Sequence, residues 1–132
     1  MAAATTLVPL EEYLRYRHIR SLQPQVLVSY KQGLLGTEDY LAPEHKGVRN
    51  TGGKPMEICT TLQLHGWGYV KDDQHLNAVV AMERLRAAAA QKANLLLNTG
   101  PLPDGSIHAG DAETLSELGR RIRQDGYPKE NI

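Results

Sequence analysis

Glu57 stands alone in front of the run Ile58-Cys59-Thr60-Thr61-Leu62, and the chain's only tryptophan, Trp67, follows just beyond the other end of that run. A carboxyl can give or take a proton, and an indole offers a flat apolar platform. The same stretch of chain holds further carboxyls: Glu38, Asp39 and Glu44 ahead of Glu57, and Asp72 with Asp73 after Gly66-Trp67-Gly68-Tyr69. Each has a plainer reading as a solvated or salt-bridged loop group, and Trp67 one as a core side chain. The five histidines, His18, His45, His65, His75 and His108, show no HxxxH or HxH spacing, so no metal site is expected. Cys59 has no partner for a disulfide, and a lone thiol in a strand is read as a small core residue. Neither GxGxxG nor GxxxxGK[ST] occurs, which removes the common phosphate-cradling loops.

The elements that must carry these residues alternate between helix and strand. Leu10, Tyr13, Leu14, Arg17 and Ile19 to Leu22 form a helical stripe that must stop by Gln23, because Pro24 disfavours helix in the residue before it. Val26 to Tyr30 reads as a short buried strand. Lys31 to Pro55 is rich in Gly, Pro and charge and has no clear period; a loop of that length inside a domain is usually functional or disordered. Ile58 to Leu62 predicts a second strand. Leu76 to Ala93 predicts a long helix with Val79, Val80, Leu85 and Ala88 to Ala90 on its inner side. Asn94 to Leu97 predicts a third strand, running into the turn text NTGPLPDG, where Asp104 suits hydrogen bonds to neighbouring amides. A last amphipathic helix from Asp111 to Gln124 turns Leu115, Leu118 and Ile122 inward and stops at Gly126 and Pro128. Such alternation indicates βα units and a parallel sheet, whose chemistry gathers at the C-terminal strand ends. That rule points to Lys31, to Gln63–Tyr69 and to Asn98–Asp104.

Size and charge narrow the classes. A chain of 132 residues is expected to be one domain, here 10–132 after a tail of residues 1–9. Fifteen Lys and Arg balance fifteen Asp and Glu, so no basic field exists to hold nucleic acid. The first twenty residues lack a basic n-region followed by an apolar block, and no run has the roughly 18 apolar residues of a membrane span. A cytoplasmic protein without membrane contact is the expectation.

Three blocks, VLVSYKQGLLGTEDYLAPE, MEICTTL followed by GWGY, and NLLLNTGPLPDGSI, together resemble the C-terminal half of the catalytic barrel of the α-L-fucosidases, glycoside hydrolase family 29. The resemblance implies an α/β fold that is a partial, about half, TIM-type (β/α) barrel of three or four βα units. It also implies a hydrolase removing terminal α-L-fucose from small-molecule or oligosaccharide fucosides, with no cofactor. Glu44, in APEH, matches the acid/base of one subgroup, and Glu57, in PMEIC, that of another. Glu44 is preferred because its loop lies where strand ends present chemistry, whereas Glu57 precedes its strand and can anchor that loop. Lys31 stands where the family often has a sugar-contacting arginine. Trp67 matches an aromatic that walls the fucose pocket, and an indole suits the apolar face of a 6-deoxy sugar. His65 either bonds a sugar hydroxyl or sits at the rim.

The helix Leu10–Leu22 resembles the one after the family's fourth strand, which carries the nucleophilic aspartate, so that aspartate has no counterpart in this text. Retaining hydrolysis needs two carboxyls about 5–5.5 Å apart. Asp39, in the same loop as Glu44, is the candidate within the chain. A neighbouring copy is the other source, and assembly into a homo-oligomer is expected because a half barrel exposes unpaired strand edges. The alternative is a catalytically inactive half barrel with weak fucose binding or a purely structural role.

Overall fold

The computed structural model describes residues 10–29, 38–49 and 51–128. Helix α1, Leu10–Leu22, stops where Pro24 requires it to. Its apolar stripe does not reach the core: Leu10 is 72% and Leu22 73% exposed. The helix is held at its end by Arg20, whose guanidinium donates to the Pro24 carbonyl at 2.8 Å and pairs with the Asp39 carboxylate.

The centre of the molecule is one βαβ unit followed by a helix: β1 (Met56–Thr61), α2 (Ala78–Ala89), β2 (Ala93–Asn98) and α3 (Ala109–Asp125). The strands are parallel, in a register that sets Met56 against Ala93 and Thr61 against Asn98. Helix α2 starts at Asn77, whose side-chain oxygen accepts from the Val79 and Val80 amides at 3.0 and 3.2 Å, satisfying two donors that the helix cannot. Its inner face is Ala81, Met82, Leu85, Ala88 and Ala89, spaced as one helical stripe. Val79, expected inside, is 52% exposed. Leu62, Ala81, Met82, Leu85 and Leu118 form one buried cluster, with Leu97, Leu115 and Ile122 against it. Leu41, Met56, Ile58, Ala88 and Ala93 form a second, and Leu95 touches both.

Three or four βα units were expected; the described residues hold a two-stranded sheet, with two further segments attached by isolated bridges. Residues 41–45 run parallel to β1. Leu41 donates to the Pro55 carbonyl (2.9 Å), Glu57 to Leu41 (2.8 Å), Cys59 to Pro43 (2.9 Å) and His45 to Cys59 (2.7 Å). Pro43 has no N–H to give back, so the ladder misses one step and the segment is bridged rather than continuous. Within Val26–Tyr30, expected as a strand, Ser29 makes one parallel bridge, to Tyr40, and Val28 accepts from the Asp39 amide; Tyr30 lies outside the described residues. The segment that holds Tyr40 lies between Ser29 and β1, since the next residue, Leu41, bridges to Met56.

Because side chains alternate along a strand, Leu95 and Leu97 face the helices and Asn94, Leu96 and Asn98 the other side. Leu96 is 50% and Leu27 73% exposed. Among the described residues no helix is long and apolar enough to cross a membrane.

Candidate functional site

The loop after β1 is tied to the end of β2 by side-chain amides. Leu62 donates to the Asn98 carbonyl at 2.9 Å, extending the parallel ladder by one step. The Asn98 amide nitrogen then donates to the Thr61 hydroxyl at 3.2 Å and to the Trp67 carbonyl at 2.9 Å. Gln63, a buried polar side chain, donates to the Gly68 carbonyl and accepts from the Gly100 amide, each at 2.8 Å. Gly100 is required there: a Cβ would lie 2.3 Å from the Gln63 Oε1 and 2.7 Å from the Gly68 carbonyl oxygen. The text GWGY and NTGP, separate in sequence, thus becomes one cross-linked rim.

Trp67 sits on this rim, 36% exposed. Its ring meets His45 at 5.1 Å between centroids, with the planes inclined by 34°. His45 Nδ1 lies 3.3 Å from the Thr60 hydroxyl, which also accepts from Arg84 Nη1 at 2.8 Å. Glu44, immediately before His45, is bridged to Cys59 and has an exposed side chain. Through His45 the fold therefore brings the Glu44 segment and Trp67 to the same end of β1.

The other candidates are placed elsewhere. Glu57 is two residues nearer the start of β1 than Cys59 and shares a cavity of about 410 Å³ with Asp39, Leu27, Tyr40, Pro55, Met56 and Asn94. The Asp39 carboxylate takes the Val28 amide at 2.7 Å and the Arg20 guanidinium. The Val28 bond and then the Arg20 charge hold it below the usual carboxylate range. Asp39, expected as the second carboxylate beside Glu44, is thus engaged by Arg20 of α1 and by the Val28 backbone. His65 is on the rim, its side chain 70% exposed, with Nδ1 2.6 Å from the buried Asp73 carboxylate. That carboxylate also takes the His65 and Gln74 amides at 3.1 and 2.8 Å, and the His65 ring foremost lowers its pKa. Asp104 accepts from the Ser106 amide and hydroxyl at 2.9 and 2.6 Å, closing the turn expected of it. Lys31 lies outside the described residues.

One cluster was not foreseen. The fully buried Asp111 accepts from the Thr99 hydroxyl at 2.5 Å and pairs with His75 Nδ1 at 2.7 Å, while His75 stacks on His108 with centroids 3.9 Å apart and planes 9° apart. Donor atoms of His75, His108 and Asp111 lie within 4.8 Å of one another. An imidazole binds a metal in its own plane, and two nearly parallel planes do not converge on one ion. The group instead clamps the loop before α2 and the end of β2 to the first turn of α3. The only local signal in the sequence is His108 and Asp111 at i, i+3; His75 comes from a distant segment.

The sequence model of the alpha-L-fucosidase family matches residues 5–127. A Caenorhabditis elegans protein named "Putative alpha-L-fucosidase" is 39% identical over 72 residues, 52% of this chain and 15% of its own length. Among solved structures, alpha-L-fucosidase isoenzyme 1 from Paenibacillus thiaminolyticus superposes with a TM-score of 0.67 at 28% identity, covering 89% of this chain and 32% of that one. The Thermotoga maritima alpha-fucosidase in complex with fucose gives 0.66 at 25% identity, covering 88% and 26%. The chain thus spans about a third or less of these relatives.

Proposed function

This chain belongs to the alpha-L-fucosidase family, and from that premise we propose that it supplies the proton-donor side of a site hydrolysing terminal α-L-fucosides. In this reading the chain is about half of a TIM-type barrel and Glu44 protonates the leaving oxygen. Trp67 lies against the apolar face and methyl group of the sugar, Lys31 reaches a hydroxyl, and His65 forms the rim. Protonation and capture of an oxocarbenium-like centre need carboxyls and water alone.

The observation that carries the reading is the contact of His45 with Trp67, which joins the residue after Glu44 to the aromatic wall at the C-terminal end of β1. Glu57 and Asp39 line a cavity toward the start of that strand, which favours an anchoring role for both. The second carboxylate then comes from outside the described residues; a further copy of the chain, packed on the open sheet face, is the proposed source. Support for a fucose ligand comes from the Thermotoga maritima relative, whose structure holds fucose.

A catalytically inactive half barrel that binds fucose is the second reading, favoured by the engagement of Asp39, the candidate second carboxylate, with Arg20 and the Val28 amide. Titration of the purified chain with L-fucose, followed by the emission of its single tryptophan, tests what the two readings share. A saturable change that D-glucose does not reproduce is expected. A folded chain whose emission ignores L-fucose would remove both.

A further inference from the structure

His45 is one of three non-glycine residues with positive φ among those described, the others being Asp72 and Lys92. Its φ of 62° lies in the left-handed region, where the backbone alone would take glycine or asparagine more readily than histidine. Such strain persists only where surrounding contacts over-determine it, and it concentrates at functional sites. Here the contacts are explicit. The His45 amide donates to the Cys59 carbonyl at 2.7 Å, Nδ1 meets the Thr60 hydroxyl at 3.3 Å, and the ring meets the indole of Trp67. The Thr60 hydroxyl is itself fixed by Arg84 of α2 at 2.8 Å.

We propose that His45 is a positioning residue for Trp67: its imidazole packs against the indole and sets the orientation in which the indole faces a ligand beside Glu44. The backbone of Trp67 is held by Asn98, which donates to its carbonyl. A hydrogen bond to its carbonyl and a ring on its ring are thus among the attachments of the tryptophan. The consequence for sugar affinity rests on the fucoside reading above; the ring contact does not.

Three variants separate orientation from turn formation: His45→Gly and His45→Asn suit the backbone and remove the ring, and His45→Phe restores an aromatic. All are measured in the full chain for thermal midpoint, for acrylamide quenching of the single tryptophan, and for L-fucose affinity. Gly and Asn are expected to melt no lower than the parent, yet to leave Trp67 about twofold more quenchable, with Phe returning it toward the parent value. L-fucose is expected to bind about fivefold more weakly to Gly and Asn than to Phe, as loss of one aromatic support implies. Quenching unchanged in Gly and Asn would overturn the proposal and leave His45 a turn residue. A parent chain that binds no L-fucose would remove the fucoside reading, while the quenching comparison would still decide the role of His45.

Discussion

The Asn98 side-chain amide donates to the carbonyl oxygen of Trp67 at 2.9 Å, so the last residue of β2 holds the loop that leaves β1. Replacing Asn98 with Leu keeps the volume and removes the donor to both Trp67 and the Thr61 hydroxyl. A loss of about 0.5–1.5 kcal/mol is expected, the usual net worth of such a hydrogen bond where water can replace the donor. Urea denaturation, with tryptophan emission as a second probe, measures it. An unchanged midpoint together with unchanged emission would mean that the loop holds itself.

Gly100→Ala sets a methyl 2.7 Å from the Gly68 carbonyl oxygen and 2.3 Å from Gln63 Oε1. Destabilisation of about 1–3 kcal/mol is expected, as for other overpacked sites. Combining it with Gln63→Ala relieves only the side-chain clash, since the other obstacle is backbone. Full recovery of the denaturation midpoint in the double variant would contradict that geometry.

Leu62 is 0% exposed and joins the cluster made by α2 and α3, so Leu62→Ala is expected to cost about 2–5 kcal/mol. Val79→Ala, on the exposed face of α2, is expected to stay within about 0.5 kcal/mol of the parent. Paired chemical denaturation curves compare them. Equal losses would place Val79 in the core after all.

Glu117 has its pKa lowered to about 2 by hydrogen bonds from Arg120 and Arg121, with their charges adding to the effect. A depressed carboxyl contributes stability above its unfolded value and loses it as the pH falls from about 4.5 to about 2. Thermal melts at low salt should therefore show the parent above Glu117→Gln near neutral pH, the gap closing as acid protonates Glu117. Partly exposed partners keep the gap small and sensitive to salt. Curves that stay parallel from pH 6 to 2 would contradict the assignment.

Element bounds were legible where a local cause fixes them. Pro24 ends α1, and the apolar Asn94–Leu97 text lies within β2. For α2 the expected inner residues Leu85, Ala88 and Ala89 are buried, whereas Val79, in the first turn, is exposed. Of the strand expected at Val26–Tyr30, the described residues show one bridge, from Ser29 to Tyr40, and such pairing is a long-range condition that no local pattern encodes. The pairing of residues 41–45 with β1 was hidden because that run contains Pro43. At the site, Trp67 stood out by its type and its place beyond a strand, whereas Glu44 was set above the other carboxyls with the help of family resemblance; their link through His45 depends on a backbone angle that the text of the chain does not announce. The Asp111 clamp joins Thr99, His75 and α3 across long sequence separations, which motif spacing cannot reveal.

The most direct test is release of an aryl α-L-fucoside by the purified chain, run beside Glu44→Gln and Glu57→Gln, with solution mass measured on the same samples against the 14.6 kDa of one chain. Release by an assembly larger than a monomer is expected, falling at least about 100-fold in Glu44→Gln, as loss of a general acid implies, and largely kept in Glu57→Gln. Loss of release in Glu57→Gln with Glu44→Gln still active would contradict the assignment of the proton donor, and a folded chain with no release at all would leave the inactive half barrel.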